Sequence, residues 1–198
     1  MKKVRVAING FGRIGRLALR AMYQYDQEGL FEIVATNSRT TPEHMFKYDS
    51  IHRRFPGEVQ VDGDDLIVNG NRVKVLAHKD PSELNWGDLG VDIVIESSGI
   101  FKDLEGAQTH LKAGAKKVVI TAPGSGEGIP TFVMGVNEGL YDPEKDHVVS
   151  NASCTTNCLA PVAKILNEEF GIVRGLMTTT HAYTNDQKLM DSSHKKLH

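Results

Sequence analysis

The stretch GFGRIG, with glycines at positions 10, 12 and 15, constrains the fold of this chain more than any other feature. Before it stands VRVAI, a short β-branched run. After it, Ile14, Leu17, Ala18, Ala21, Met22 and Tyr25 recur at helical spacing and predict a helix packed on the preceding strand. In a strand–turn–helix of this kind, Gly10 makes the tight turn. Gly12 lets backbone approach a pyrophosphate, Gly15 lets the helix pack closely, and the helix start faces the anion. The pattern is weak alone, but its position favours a dinucleotide site over a merely structural turn.

Further β-branched runs, EIVAT, VDIVI and KVVIT, are separated in part by amphipathic stretches, as in a parallel sheet covered by helices. The expected class is therefore α/β, with a mostly parallel sheet. LIVNGNRVKV predicts an appended antiparallel hairpin turning at Asn-Gly. The preceding DGDD lacks the ligand alternation of a calcium loop and reads as a turn. A helix is expected over 103–113, with Leu104, Ala107 and Leu111 inward and Gly114 ending it. Beyond Val148 a helix over 154–170 and a strand over 172–180 begin a second, α+β unit that is incomplete at His198. The expected division is 1–152 for nucleotide binding and 153–198 for the start of a catalytic domain.

A formal charge of −2, with both signs interspersed, supplies no field for nucleic acid or an acidic membrane. No apolar stretch reaches the roughly 18 residues of a membrane span, and the N-terminal segment enters a strand and glycine turn instead of a signal core. A cytoplasmic protein acting on small molecules is the expectation.

In open α/β folds the loops after strands on either side of the switch point line the crevice, which places Ser97, Ser98 and Gly99 opposite the glycine turn. An acid ending the second strand bonds the adenosine ribose in NAD sites. This chain reads TNSRT there, with Ser38 in place of the carboxylate and Arg39 beside it. The missing negative charge and added cation favour NADP over NAD. The competing reading makes Ser38 a turn residue and Arg39 a solvated arginine.

Both cysteines lie in SCTTNC, at 154 and 158. Their spacing is not that of a zinc knuckle, and no nearby His/Cys set completes four ligands, so no metal is expected. On a helix beginning here, Cys154 meets the free N–H groups and positive dipole end that lower a thiol pKa. It is the candidate nucleophile. Cys158, beside the stripe of Leu159, Val162, Leu166 and Phe170, reads as a buried structural thiol. Pro161 predicts a kink or an irregular first turn. Among eight histidines, His181 follows LMTTT at a predicted strand end and is the candidate base. Tyr141 and Lys145 have YxxxK spacing, but Pro143 between them opposes the helix that would align them.

INGFGRIGR, KYDSIH, ESSGIF, GAKKVVITAP, SNASCTTNCLAP and HAYTNDQ together resemble the glyceraldehyde-3-phosphate dehydrogenase family across essentially the whole chain. The resemblance implies a Rossmann-type cofactor domain followed by a catalytic domain. It implies Cys154 as nucleophile and His181 as its base. Ser153 and Thr155 would hold inorganic phosphate, and Thr184 the substrate phosphate. Arg13, Ile14, Lys79 and Thr121 correspond to cofactor-binding positions. Phosphorylating oxidation of an aldehyde and a homotetramer follow from the same resemblance. Erythrose-4-phosphate dehydrogenase shares the thiol chemistry and is the enzymatic alternative. Family chains are considerably longer, so a molecule ending at His198 is expected to be a cofactor-binding fragment with little or no turnover.

Overall fold

The computed structural model describes residues 2–38 and 42–184. The chain opens with β1 (Val4–Asn9), α1 (Arg13–Tyr25), β2 (Phe31–Asn37) and α2 (Pro42–Lys47). Two short strands, β3 (Tyr48–Asp49) and β4 (Arg53–Arg54), make a hairpin of their own. The meander β5 (Val59–Asp62), β6 (Asp65–Val68) and β7 (Asn71–Leu76) follows. Next come β8 (Ile93–Glu96), α3 (Leu104–Lys112), β9 (Lys117–Ile120), β10 (Val148–Ser150) and α4 (Cys154–Phe170).

Eight strands form one sheet in the order β10-β9-β8-β1-β2-β7-β6-β5. Pairing is parallel from β10 to β7 and antiparallel through β7, β6 and β5. From β1 the chain moves to β2 on one side and later to β8 on the other. The C-terminal ends of β1 and β8, which pair as far as Asn9 and Glu96, are thus the switch point of the sheet, the place where open α/β folds take their ligands. Alternating residues of β1 serve different cores: Val6 and Ile8 join Leu19 and Phe46, while Ala7 joins Trp86 and Val94. Burial on both faces explains why these strands read as continuous apolar runs.

The appended hairpin is β6–β7. Its Asn69 and Gly70 both have positive φ, 49° and 80°, as a primed two-residue turn requires. DGDD forms the β5–β6 turn, and Arg72 takes its carboxylates, pairing with Asp62 and, at 3.1 Å, with Asp65. Asp103 caps α3 by accepting from Gly106 N–H at 2.7 Å, and Gly114 follows the helix at φ 103°.

Three expectations are corrected. Of the residues expected inward on α1, Ala18 and Met22 pack on the core, but the most buried positions are Gly15, Arg16, Leu19 and Arg20, whereas Ile14 and Tyr25 are 53% and 76% exposed. The two arginines are buried because their charges are satisfied. Arg16 Nη2 donates to Asp49 at 3.1 Å, and Arg20 donates to the carbonyls of Phe46 (Nε, 2.8 Å) and Arg53 (Nη1, 3.0 Å). Burial would raise the Asp49 carboxyl, but the His52 and Ile51 N–H groups and Arg16 outweigh it and hold the group well below the carboxylate range.

Residues 172–180 form no strand, since no described strand pairs with them. An extended backbone becomes a strand only when a neighbour takes its N–H and C=O groups. Finally, α4 has no buried residue. Cys158 is exposed, as are Leu159, Val162, Leu166 and Phe170, because no described element packs on that face. The helix also runs from Cys154 to Phe170 through Pro161 without terminating there.

Candidate nucleotide crevice and thiol site

The glycine turn follows β1. Gly10 sits at φ 93°, and a Cβ there would come within 2.4 Å of Ser98 N, so the loops after β1 and β8 touch. A Cβ on Gly15 would lie 2.1 Å from the Gly10 carbonyl oxygen. Both positions exclude a side chain for steric reasons. Gly12 is different: its Cβ direction is open, and α1 begins there with neither a side-chain cap nor an acid in its first turn. An uncapped helix start beside an empty glycine face suits a pyrophosphate. Arg13 flanks it, with Nη2 3.4 Å from Ser50 Oγ and Nε 4.0 Å from Asp49, and Ile14 is exposed beside it.

Ser97 and Ser98 lie against the glycine turn, and their hydroxyls act as staples, while Gly99 follows at φ 74°. Ser97 Oγ donates to the Gly10 carbonyl at 2.7 Å, and Ser98 Oγ to Glu96 at 2.5 Å. Thr121, just past β9, donates both its N–H and its hydroxyl to the Glu96 carbonyl, at 3.0 and 3.1 Å. Ser38 follows β2, with its N–H on the Leu76 carbonyl at 2.7 Å. Arg39 lies outside the described residues. Lys79 is exposed on the loop after β7, which the Asn37 side chain ties to the end of β2 through both His78 backbone groups. Asn9, Asn37 and Glu96, absent from the sequence-based candidates, are buried polar residues that end β1, β2 and β8. The only mark they leave in the sequence is a polar residue closing each β-branched run.

The thiol lies on the same edge of the sheet. β10 runs parallel to β9, and three residues beyond its end Ser153 caps α4, its hydroxyl accepting from Thr156 N–H at 2.9 Å. Cys154 is the first helical residue. His181 reaches it from the segment after α4, Nε2 standing 3.2 Å from Sγ, while Nδ1 lies 2.5 Å from the Ala182 carbonyl. A carbonyl only accepts, so Nδ1 carries the proton and Nε2 presents its lone pair to the thiol. The His181 hydrogen bond, its charge and the N–H and hydroxyl of Thr155 hold the Cys154 thiol below its ordinary pKa. The Ala182 carbonyl and the Cys154 sulfur push the imidazole up. Both directions favour a thiolate–imidazolium pair. Thr184 is exposed at the end of this segment. Tyr141 and Lys145 make no such pair: Lys145 bonds Asp142 at 2.8 Å and the Tyr141 ring lies 5.7 Å from Lys117 Nζ.

A parallel sheet reversed at β1, with a glycine turn and a bare helix start at the reversal, defines a Rossmann-type nucleotide-binding protein. The chain belongs to the glyceraldehyde 3-phosphate dehydrogenase family: the family's NAD binding domain matches residues 4–104 and its C-terminal domain residues 153–198. The chain is 56% identical over 197 residues to glyceraldehyde-3-phosphate dehydrogenase of Geobacillus stearothermophilus, covering 98% of this chain and 58% of that protein. The Thermotoga maritima enzyme of the same name is 55% identical over 196 residues, with the same shares. A chloroplastic form from Chondrus crispus is 51% identical over 198 residues, covering 98% of this chain and 48% of that protein. The chain thus spans about half of the length of the curated relatives it matches, from 48% to 58% in these three. Among the described residues no helix is long and apolar enough to cross a membrane, and no group of three or more His, Cys, Asp or Glu is placed to hold a metal.

Proposed function

We propose that this chain carries the nucleotide crevice and reactive thiol of a cytoplasmic, phosphorylating glyceraldehyde-3-phosphate dehydrogenase, residues 1–152 serving the cofactor and 153–198 beginning the catalytic domain. The observation that carries the proposal is the 3.2 Å contact of Cys154 Sγ with His181 Nε2 at the start of α4. The names of the relatives favour the three-carbon aldehyde over erythrose 4-phosphate.

In this reading Cys154 adds as thiolate to the aldehyde carbon, and His181 gives its Nε2 proton to the carbonyl oxygen, forming a thiohemiacetal. A nicotinamide dinucleotide, when bound, supplies the hydride acceptor. As the C–H bond breaks, His181 takes the hydroxyl proton back and a thioester remains on Cys154. An oxygen of inorganic phosphate then attacks the thioester carbon, the C–S bond breaks to an acyl phosphate, and the thiolate is regenerated. Ser153 and Thr155 are assigned to the attacking phosphate and Thr184 to the substrate phosphate. Gly10, Gly12, Arg13, Ile14, Gly15, Lys79, Ser98, Gly99 and Thr121 are assigned to the cofactor. Ser38 and Arg39 favour NADP over NAD, since the sequence after β2 offers a cation and no carboxylate to a 2′-phosphate. A homotetramer is the assembly proposed for the full-length form.

The test is reduction of NAD and NADP by this chain with glyceraldehyde 3-phosphate and phosphate, set against Cys154→Ala and Arg39→Ala. Cys154→Ala abolishes turnover while dinucleotide binding persists, and Arg39→Ala weakens NADP far more than NAD. Equal weakening of both removes the 2′-phosphate reading. Binding without turnover in the unsubstituted chain supports a nucleotide-binding fragment.

A further inference from the structure

A chain of hydrogen bonds, buried at its centre and part-buried where it meets Ser98 and His78, runs from α3 to the loop after β7. At its centre is Glu96, whose side chain is wholly buried. Glu96 Oε2 accepts from Asn9 Nδ2 at 2.6 Å and faces His110 Nε2 at 2.9 Å, while Oε1 accepts from Ser98 N and Oγ at 2.7 and 2.5 Å. The Trp86 indole N–H meets His110 Nδ1 at 3.0 Å. An indole nitrogen only donates, so Nδ1 must offer its lone pair, and the imidazole proton sits on Nε2, aimed at Glu96. Each amide is oriented in turn. With Asn9 Nδ2 spent on Glu96, Asn9 Oδ1 accepts from Asn37 Nδ2 at 2.7 Å. Asn37 Nδ2 also donates to the His78 carbonyl, and Asn37 Oδ1 accepts from His78 N–H, both at 3.0 Å. The Ser97–Gly99 loop, the end of β1, the end of β2 and the segment leading to Lys79 all hang on this one chain.

We propose that His110, Glu96, Asn9 and Asn37 are positioning residues of the crevice, set in one hydrogen-bond direction by Trp86. They hold the Ser98 and His78 loops at the spacing a dinucleotide requires, so that nucleotide affinity is controlled from α3. The inference rests on reading the crevice as a nicotinamide dinucleotide site. Its basis is that bonds to a buried carboxylate are stronger than neutral ones, and a donor–acceptor chain with one permitted direction fixes every member.

The experiment uses the chain with His110→Phe, His110→Gln and Glu96→Gln. Calorimetry with NADP and NAD is combined with amide hydrogen exchange at Ser98 and His78. Phenylalanine removes both the acceptor for Trp86 and the donor to Glu96, so affinity falls about tenfold or more and both amides exchange faster. Glutamine at 110 presents an acceptor and a donor about as far apart as the ring nitrogens, and restores affinity to within about threefold. Glu96→Gln turns one acceptor into a donor facing donors and weakens binding in the same direction. A folded His110→Phe with unchanged exchange and affinity overturns the proposal, as does a glutamine variant no better than phenylalanine. If the phenylalanine variant fails to fold, Glu96→Gln carries the test, and unchanged affinity and exchange there overturn it. In the unsubstituted protein nitrogen-15 resonances must show the proton on His110 Nε2; a protonated Nδ1 overturns the proposal. If the unsubstituted protein binds neither dinucleotide, the crevice reading fails, and the exchange rates alone decide whether the chain positions the loops.

Discussion

The sheet and the segment beyond it organise polar chemistry in opposite ways. Between β1 and β10, polar groups are buried and bonded: Asp49, Glu96 and His110 have wholly buried side chains, each with more than one partner. From α4 to His181 nothing on the helix is buried, Phe170 is 82% exposed, and the one reactive contact is a sulfur and an imidazole at the surface. The crevice therefore depends on segments distant in sequence meeting within tenths of an ångström, whereas the thiol depends on a helix start and one residue reaching across. Thiol activation of this kind tolerates exposure because its causes lie within a few ångströms. A buried carboxylate does not, since each lost partner leaves charge in a poor solvent.

Gly15→Ala should separate the two regions most sharply. Its Cβ would meet the Gly10 carbonyl at 2.1 Å, so a loss of about 3 kcal/mol or more is expected in denaturant titration, together with loss of nucleotide binding. Cys154 should still alkylate as fast as in the parent if the thiol site is local.

Asp49→Asn comes next, at about 2 kcal/mol, because a charged acceptor is withdrawn from buried Arg16. Asp49 has a depressed pKa in the folded state. Its contribution is therefore complete above the unfolded value of about 4 and disappears as pH falls through the folded one. The stability gap between parent and Asn variant should close on acidification; a gap independent of pH would remove the ion pair from the account.

For the second region, mass-spectrometric alkylation should label Cys154 ahead of Cys158, with a midpoint below the ordinary thiol range. His181→Ala should move that midpoint upward and slow labelling several-fold at mildly acidic pH. Simultaneous labelling of both cysteines, unaffected by His181, would erase the distinction between them. The smallest effects belong to the exposed face of α4: Leu166→Ser or Val162→Ser should shift the stability of this chain by no more than about 0.5 kcal/mol. A larger loss would mean that the face is covered.

The glycine turn, the parallel runs, the Asn69-Gly70 hairpin and the start of α4 were legible in residue patterns because each obeys a local rule of sterics, periodicity or capping. The inward face of α1 was misread for the opposite reason. Apolar spacing marks Ile14 and Tyr25, but Arg16 and Arg20 turn inward once Asp49 and the Phe46 carbonyl arrive from 26 or more residues away. The segment 172–180 fails as a strand for a related reason, since strand character resides in a partner.

From its residue order alone this protein declares a nucleotide-binding α/β sheet and a cysteine at a helix start, features whose causes span a few neighbouring residues. Which arginines enter the core, how closely His181 approaches the thiol, and how Trp86, His110, Glu96, Asn9 and Asn37 align under the glycine turn depend on long-range assembly. A buried polar group is stable only beside its partner, and that partner's place in space is not written in the residues adjoining it.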